Sequence, residues 1–262
     1  MRSLIVRARD AKVCLISIQK SRDSFQLRHF PPDNFYIIDR PIAGSRSMPE
    51  TLKPPYLRKG GRRGDLQVWI VDGSFIRTQM DVEFTNFGQH FRYKYIPENE
   101  LWLDQEANND ERTFFIDHLL VERELMSQGV PYEKALEEAN LAERRERRRA
   151  GDMAKMTKRG KELPDANSVH ERLWKKLENG VSVWIVTGRL IRSVFNIDFT
   201  AGGHDHVYEF VPEGEVWIDN DVVEKERGYV LVHELHERNC MSKGMTYSQA
   251  HEESSQLESH CR

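Results

Sequence analysis

Two stretches of the chain carry short β-type hydrophobic runs, and each is followed by a segment whose apolar positions recur at helical spacing. In the first, Val68-Trp69-Ile70-Val71 breaks at Asp72-Gly73 and alternation resumes from Ile76 to Thr85, which predicts a β-hairpin around a short glycine turn. A third strand is predicted from Phe91 to Ile96, ending at Pro97, and a short extended piece carries Leu101-Trp102-Leu103. After Asp104 the period becomes helical: one long helix stops at Gly129, and a second opens near Pro131, where a first-turn proline is tolerated. The second stretch reads in the same order. Its strands are Val183 to Val186, Ile191 to Thr200, Val207 to Val211 and Val216 to Ile218, and its first helix stops at Gly244. Thr246 with Gln249 three residues on has the form of a capping box opening its second helix.

The two stretches align at a constant offset of 115 residues without a gap, and about a third of the aligned positions are identical. The expected architecture is therefore α+β with an internal duplication. Each copy would be an antiparallel β meander followed by a helical hairpin, the two paired within the chain about a pseudo-twofold axis, like a fused homodimer. The boundaries read as an N-terminal extension over 1–63, copy one over 64–142, a basic helix and linker over 143–178, and copy two over 179–262. Within the extension, Lys12 to Gln19 and Asn34 to Asp39 have strand character, while Pro54-Pro55 and Gly60-Gly61 break it.

Composition narrows the class. With 39% hydrophobic and 31% charged residues among 262, the chain is neither fibrous nor a multi-span membrane protein. No apolar run approaches the roughly 18 residues a membrane helix needs, and Val13 to Ile18 is too short for a signal peptide, so no membrane partner and a cytoplasmic location are expected. Cys14, Cys240 and Cys261 are too scattered for a disulfide framework and are read as free thiols. The net charge of −3 conceals an asymmetry: +8 over residues 1–65 and −8 over 204–262. Glu143 to Lys176 holds 12 basic and 6 acidic residues. Arg144 to Lys161 would accordingly contact an acidic partner or nucleic acid, or form a solvated helix end and linker; the latter is favoured because no aromatic residue interleaves with the basic ones.

The chemistry concentrates in copy two, in His233-Glu234-Leu235-His236-Glu237. Residues four apart share a helix face, so His233 and Glu237 can hold one metal ion while Glu234 is placed to activate bound water. This segment resembles the HExxH zinc helix of the zincin metallopeptidases, with Glu237 where that family has its second histidine. The resemblance implies zinc as cofactor and a hydrolase, peptidase-like in its chemistry. A helical hairpin would return His251 as the third ligand, and His204, His206, His236, Tyr247 and Glu258 are further candidates. Copy one lacks the set: Leu119, Val121, Leu136, Gln89 and Phe91 stand at the positions of Glu234, His236, His251, His204 and His206. Yet His118 and Glu122 match His233 and Glu237, and Glu111 matches Glu226, which points equally to a buried structural His-Glu hydrogen bond in both copies. The alternative function is therefore a non-catalytic duplicated interaction module. Trp69, Trp102, Trp184 and Trp217 are read as core, Tyr132, Tyr247, Met126 and Met241 as packing of the hairpins, and Gly202-Gly203 as a loop needing positive φ.

Overall fold

A computed structural model describes residues 4–5, 15–16, 53–151 and 165–262. Two short strands, β1 (Leu4–Ile5) and β2 (Leu15–Ile16), pair antiparallel. The strand expected from Asn34 to Asp39 lies outside the described residues. The first half then runs β3 (Tyr56–Arg63), β4 (Leu66–Val71), α1 (Gly73–Gln79), β5 (Phe87–Gln89), β6 (Glu100–Asp104), α2 (Arg112–Ser127) and α3 (Tyr132–Arg149). The second half repeats this order: a 3₁₀ turn at Ala166–Val169, β7 (His170–Lys176), β8 (Ser182–Val186), α4 (Gly188–Val194), β9 (Gly202–His204), β10 (Glu215–Asp219), α5 (Arg227–Ser242) and α6 (Tyr247–Cys261). The molecule is mixed α/β, with two four-stranded sheets each followed by helices, consistent with a two-copy arrangement.

Neither sheet is a meander. The strand orders are β3-β4-β6-β5 and β7-β8-β10-β9, and in each the central pair is parallel, Trp69 opposite Trp102 and Trp184 opposite Trp217. The expected glycine turn fails because Asp72 begins a helix: its Oδ1 accepts from the Phe75 N–H at 3.1 Å, and α1 carries the chain away from the sheet before it returns in parallel. Gly73 answers a steric demand, since a Cβ there would lie 1.7 Å from Asp104 Oδ2; Gly188 meets Asp219 in the same way at 2.0 Å. Phe91 to Ile96 and Val207 to Val211 are turns, in which Tyr93 and Tyr95 pack on Phe84 and Trp102, and Tyr208 and Phe210 on Phe199 and Trp217. The actual third strands are β5 and β9, three residues each.

The strands bury both faces, with successive residues serving opposite sides. Val68, Ile70, Leu101 and Leu103 pack under α2 with Phe115 and Leu119, while Val71, Ile76, Phe84 and Trp102 form the core on the other face. The second half builds the matching pair of cores around Val183, Ile185, Val216 and Ile218, and around Val186, Ile191, Phe199 and Trp217. Each outer strand carries two β-bulges at matching places, after Tyr56 and Lys59 in β3 and after His170 and Leu173 in β7. The first sheet thus starts at Tyr56, inside the segment read as an extension, and the second at His170, inside the segment read as a linker.

Both helical hairpins turn at left-handed glycines, Gly129 (φ +84°) and Gly244 (φ +91°), and the capping box at Thr246 and Gln249 is formed. Within the basic stretch, Arg144, Arg145, Arg148 and Arg149 are exposed, but Arg147 is 1% exposed and held by Glu143 and Glu111, so this helix end is not wholly solvated. Residues 152–161 of that stretch lie outside the described residues.

Ion pairs join the halves reciprocally. Arg77 of α1 reaches Glu226 of the second half at 3.2 Å, and Arg192 of α4 reaches Glu111 of the first through two hydrogen bonds. Arg262 supports Glu226 as Arg147 supports Glu111, both at 2.6 Å.

Candidate metal centre

The hairpin of α5 and α6 brings His233, Glu237 and His251 together. One helical turn places His233 Nε2 3.6 Å from Glu237 Oε2, and the chain reversal at Gly244 returns His251, whose Nδ1 lies 2.8 Å from Glu237 Oε2 and 3.2 Å from His233 Nε2. For bonds of 2.0–2.2 Å at tetrahedral angles, ligating atoms stand roughly 3.3–3.6 Å apart. Two sides of the triangle lie in or within 0.1 Å of that range, and the 2.8 Å hydrogen bond from His251 Nδ1 to Glu237 Oε2 would have to open by roughly 0.5 Å to admit an ion.

Each of the two imidazoles has its far nitrogen against a carboxylate. His233 Nδ1 lies 3.0 Å from Glu258 Oε2, and His251 Nε2 lies 3.2 Å from Glu83 Oε2, a residue of the first half. A carboxylate only accepts, so the far nitrogens carry protons and Nε2 of His233 and Nδ1 of His251 face Glu237. Carboxylates that orient and polarise ligating imidazoles are the usual outer shell of a metal centre. Burial opposes charge on His233, yet hydrogen bonds to Glu237 and Glu258 raise its pKa to about 10. Hydrogen bonds to Glu237 and Glu83 raise His251 to about 9. Glu237 is buried, which favours its neutral form, but His204, His233 and His251 together hold it well below the usual carboxylate range.

His204 plays a different part from that of a third imidazole ligand. The His206 N–H donates to its Nδ1 at 3.2 Å, so the proton sits on Nε2 and is donated to Glu237 Oε1 at 3.0 Å. This bond turns Glu237 Oε2 toward His233 and His251. Gln89 does the same in the first half, its Nε2 donating to Glu122 Oε1 at 2.8 Å.

Glu234 is buried beside Glu237, with a carboxylate oxygen within 4.8 Å of a His204 ring nitrogen and of a Glu237 oxygen. Burial pushes its pKa to about 7 against the opposing pull of His233 and His204. The side chain fits because residue 202 is glycine: a Cβ there would lie 2.8 Å from Glu234 Oε1. Gly202-Gly203 is therefore a strand segment of close approach, and Gly203 likewise leaves room for the Tyr208 ring, 2.5 Å from where its Cβ would stand. In the first half Phe87 occupies the position of Gly202 and packs on Phe115 and His118, with Leu119 in the place of Glu234.

His206 is exposed and contributes its backbone. His236 points to another side of α5, toward Cys240 and Glu253. Tyr247, half exposed, lies tilted beside His251 at 5.5 Å between ring centroids, and its partial burial raises its pKa to about 12. A cavity of about 440 Å³ between the halves is lined by His233, Glu234, His251 and Tyr247 from one side and by Glu83, Arg92 and Asn140 from the other.

No protein-family model matches the chain, and it has no match among curated proteins or solved structures.

Sequence reasoning missed Glu83. It stands 168 residues from His251 in an unremarkable Asp81-Val82-Glu83 turn, and only the pairing of the halves brings it in. The first half keeps two of the three facing atoms and lacks the third: His118 Nδ1 lies 2.8 Å from Glu143 and its Nε2 3.5 Å from Glu122, but Leu136 replaces His251.

Proposed function

We propose that the second half holds a zinc ion through His233 Nε2, Glu237 Oε2 and His251 Nδ1, and that the protein is a metal-dependent hydrolase. The observation that carries this reading is the triangle of facing atoms, 2.8, 3.2 and 3.6 Å on its sides, with a carboxylate behind each imidazole. Without metal, the two histidines hold protons around one carboxylate; a divalent ion would take the place of that charge with neutral imidazoles as ligands. Two histidines and a carboxylate leave a fourth position for water, whose pKa zinc lowers to roughly 7. Glu234, poised near the same value, is the group to accept its proton. The likeness of His233-Glu234-Leu235-His236-Glu237 to the zincin helix points to peptide bonds as substrate.

We infer also that the halves form a pseudo-twofold pair. The support is reciprocity: Arg77 to Glu226 is answered by Arg192 to Glu111, as a self-complementary interface requires. In this arrangement the first half is the partner that supplies Glu83. A second reading, a non-catalytic module that binds an acidic partner or nucleic acid through Arg144 to Lys161, draws on the exposed Arg144, Arg145, Arg148 and Arg149.

Elemental analysis of the purified protein and of two variants tests the proposal. Zinc bound by the wild type, with one ion per chain lost in His251→Ala and in Glu237→Gln, supports it. Absence of zinc after loading, or unchanged stoichiometry in both variants, overturns the metal centre and favours the interaction module. Glu234→Gln should keep the ion and lose hydrolysis of any substrate the wild type cleaves.

A further inference from the structure

The other side of the α5–α6 hairpin carries a second cluster, independent of the centre just described. Cys240 Sγ lies 3.5 Å from His236 Nε2 and 3.8 Å from Glu253 Oε2, and His236 Nε2 lies 3.7 Å from the same Glu253 oxygen. We propose that His236, Cys240 and Glu253 form a second, soft-metal site that takes zinc or a similar thiophilic divalent ion and staples α5 to α6.

The geometry suits the ligand types. With a metal–sulfur bond near 2.3 Å and metal–nitrogen and metal–oxygen bonds near 2.0–2.2 Å, tetrahedral angles separate sulfur from nitrogen or oxygen by roughly 3.5–3.6 Å, and nitrogen from oxygen by roughly 3.4 Å. The observed spacings need adjustments of only a few tenths of an ångström. His236 and Cys240 are four apart and so share a face of α5, while Glu253 comes from α6. The thiol is buried, whereas the His236 and Glu253 side chains are 31% and 52% exposed, so an ion would be gripped from inside and keep water on its open side. One thiolate and one carboxylate balance a divalent charge, and the thiol proton leaves to solvent on binding. In the first half Val121 and Leu125 stand at the positions of His236 and Cys240, an ordinary apolar pair, so these ligand types are not required by the hairpin fold.

Cobalt(II) titration of the metal-free full chain tests this, because thiolate-to-cobalt charge transfer absorbs in the near ultraviolet and the centre at Glu237 has no sulfur. The expected result is a saturable band that is lost in Cys240→Ser, weakened at least tenfold in affinity in His236→Gln and in Glu253→Gln, and retained in Glu237→Gln. Both His236 and Glu253 are partly exposed, so their variants carry the test even if Cys240→Ser does not fold. No band in the wild type overturns the proposal. So does a band that survives Cys240→Ser, which would assign it to Cys14 or Cys261, or one whose affinity is unchanged in both His236→Gln and Glu253→Gln.

Discussion

Gly202 and Glu234 occupy one space: a Cβ on residue 202 would stand 2.8 Å from Glu234 Oε1 and 2.9 Å from Val230 Cγ1. In the first half Phe87 and Leu119 divide the same space the other way. The pair should therefore be energetically coupled. Gly202→Ala alone should destabilise the metal-free protein by about 1–3 kcal/mol through overpacking. In the double variant with Glu234→Ala, the added methyl should cost less by about 1 kcal/mol or more. Urea unfolding of the four proteins measures the coupling, and strict additivity would deny that the two side chains compete.

Ion uptake should release protons. His233 and His251 have pKa values raised to about 10 and about 9 by their carboxylate neighbours, so at neutral pH both are charged in the metal-free protein and must be neutral as ligands. In a Cys240→Ser background, which removes the thiol of the second cluster, zinc binding should expel close to two protons from these imidazoles, and affinity should fall by about 100-fold per unit as pH is lowered from 8 to 6. Calorimetry in buffers of different ionisation enthalpy counts the protons. A count near zero would mean that the ion binds elsewhere.

His118 offers a pH effect away from the candidate centre. Burial disfavours its charge, but Glu122 and Glu143 raise its pKa from 6.5 to about 9. A histidine with a raised folded-state pKa contributes its full stabilisation below 6.5 and loses it as pH rises through 9. The metal-free protein should lose at most about 3 kcal/mol from this group between pH 6.5 and 9. His118→Gln should remove that part of the slope, as denaturant midpoints across this range would show.

The reciprocal ion pairs make a symmetric prediction. Glu111 takes Arg147 and Arg192, and Glu226 takes Arg77 and Arg262, all buried or nearly so. Each arginine keeps a second carboxylate, Glu143 for Arg147, Asp219 for Arg192, Asp104 for Arg77 and Glu258 for Arg262, so Glu111→Gln and Glu226→Gln should each cost about 1.5–3 kcal/mol, the worth of charge-assisted hydrogen bonds lost. Thermal unfolding with comparable losses in both would match the geometry; a large loss in only one would show that the halves depend on each other unequally.

The long helices were legible because their stops are chemical: Gly129 and Gly244 at the hairpin turns, Thr246 with Gln249 at a helix start. The sheets were not, because a seven-residue helix such as α1 is too short for its period to show, and Gly73 reads as a turn residue when it is there for close approach to Asp104. The convergence of His233, Glu237 and His251 follows from helical spacing plus one tight reversal, both local. Glu83 and the tautomer of His204 depend on contacts across the fold, which linear spacing does not encode.

The bulged outer strands have a consequence for how the molecule behaves in a crowd. An open sheet edge offers unpaired N–H and C=O groups to any passing strand; among the described residues each four-stranded sheet has two edge strands, a three-residue one (β5 or β9) and a longer one, β3 or β7. Two bulges in each longer strand interrupt the ladder that a foreign strand would need to follow. Arg58, Lys59, Arg62 and Arg63 along β3, and Arg172, Lys175 and Lys176 along β7, add like charges that a second copy would have to bring face to face. Irregularity and charge thereby blunt the β3 and β7 edges against a foreign strand, and among the described residues no further strand pairs with either.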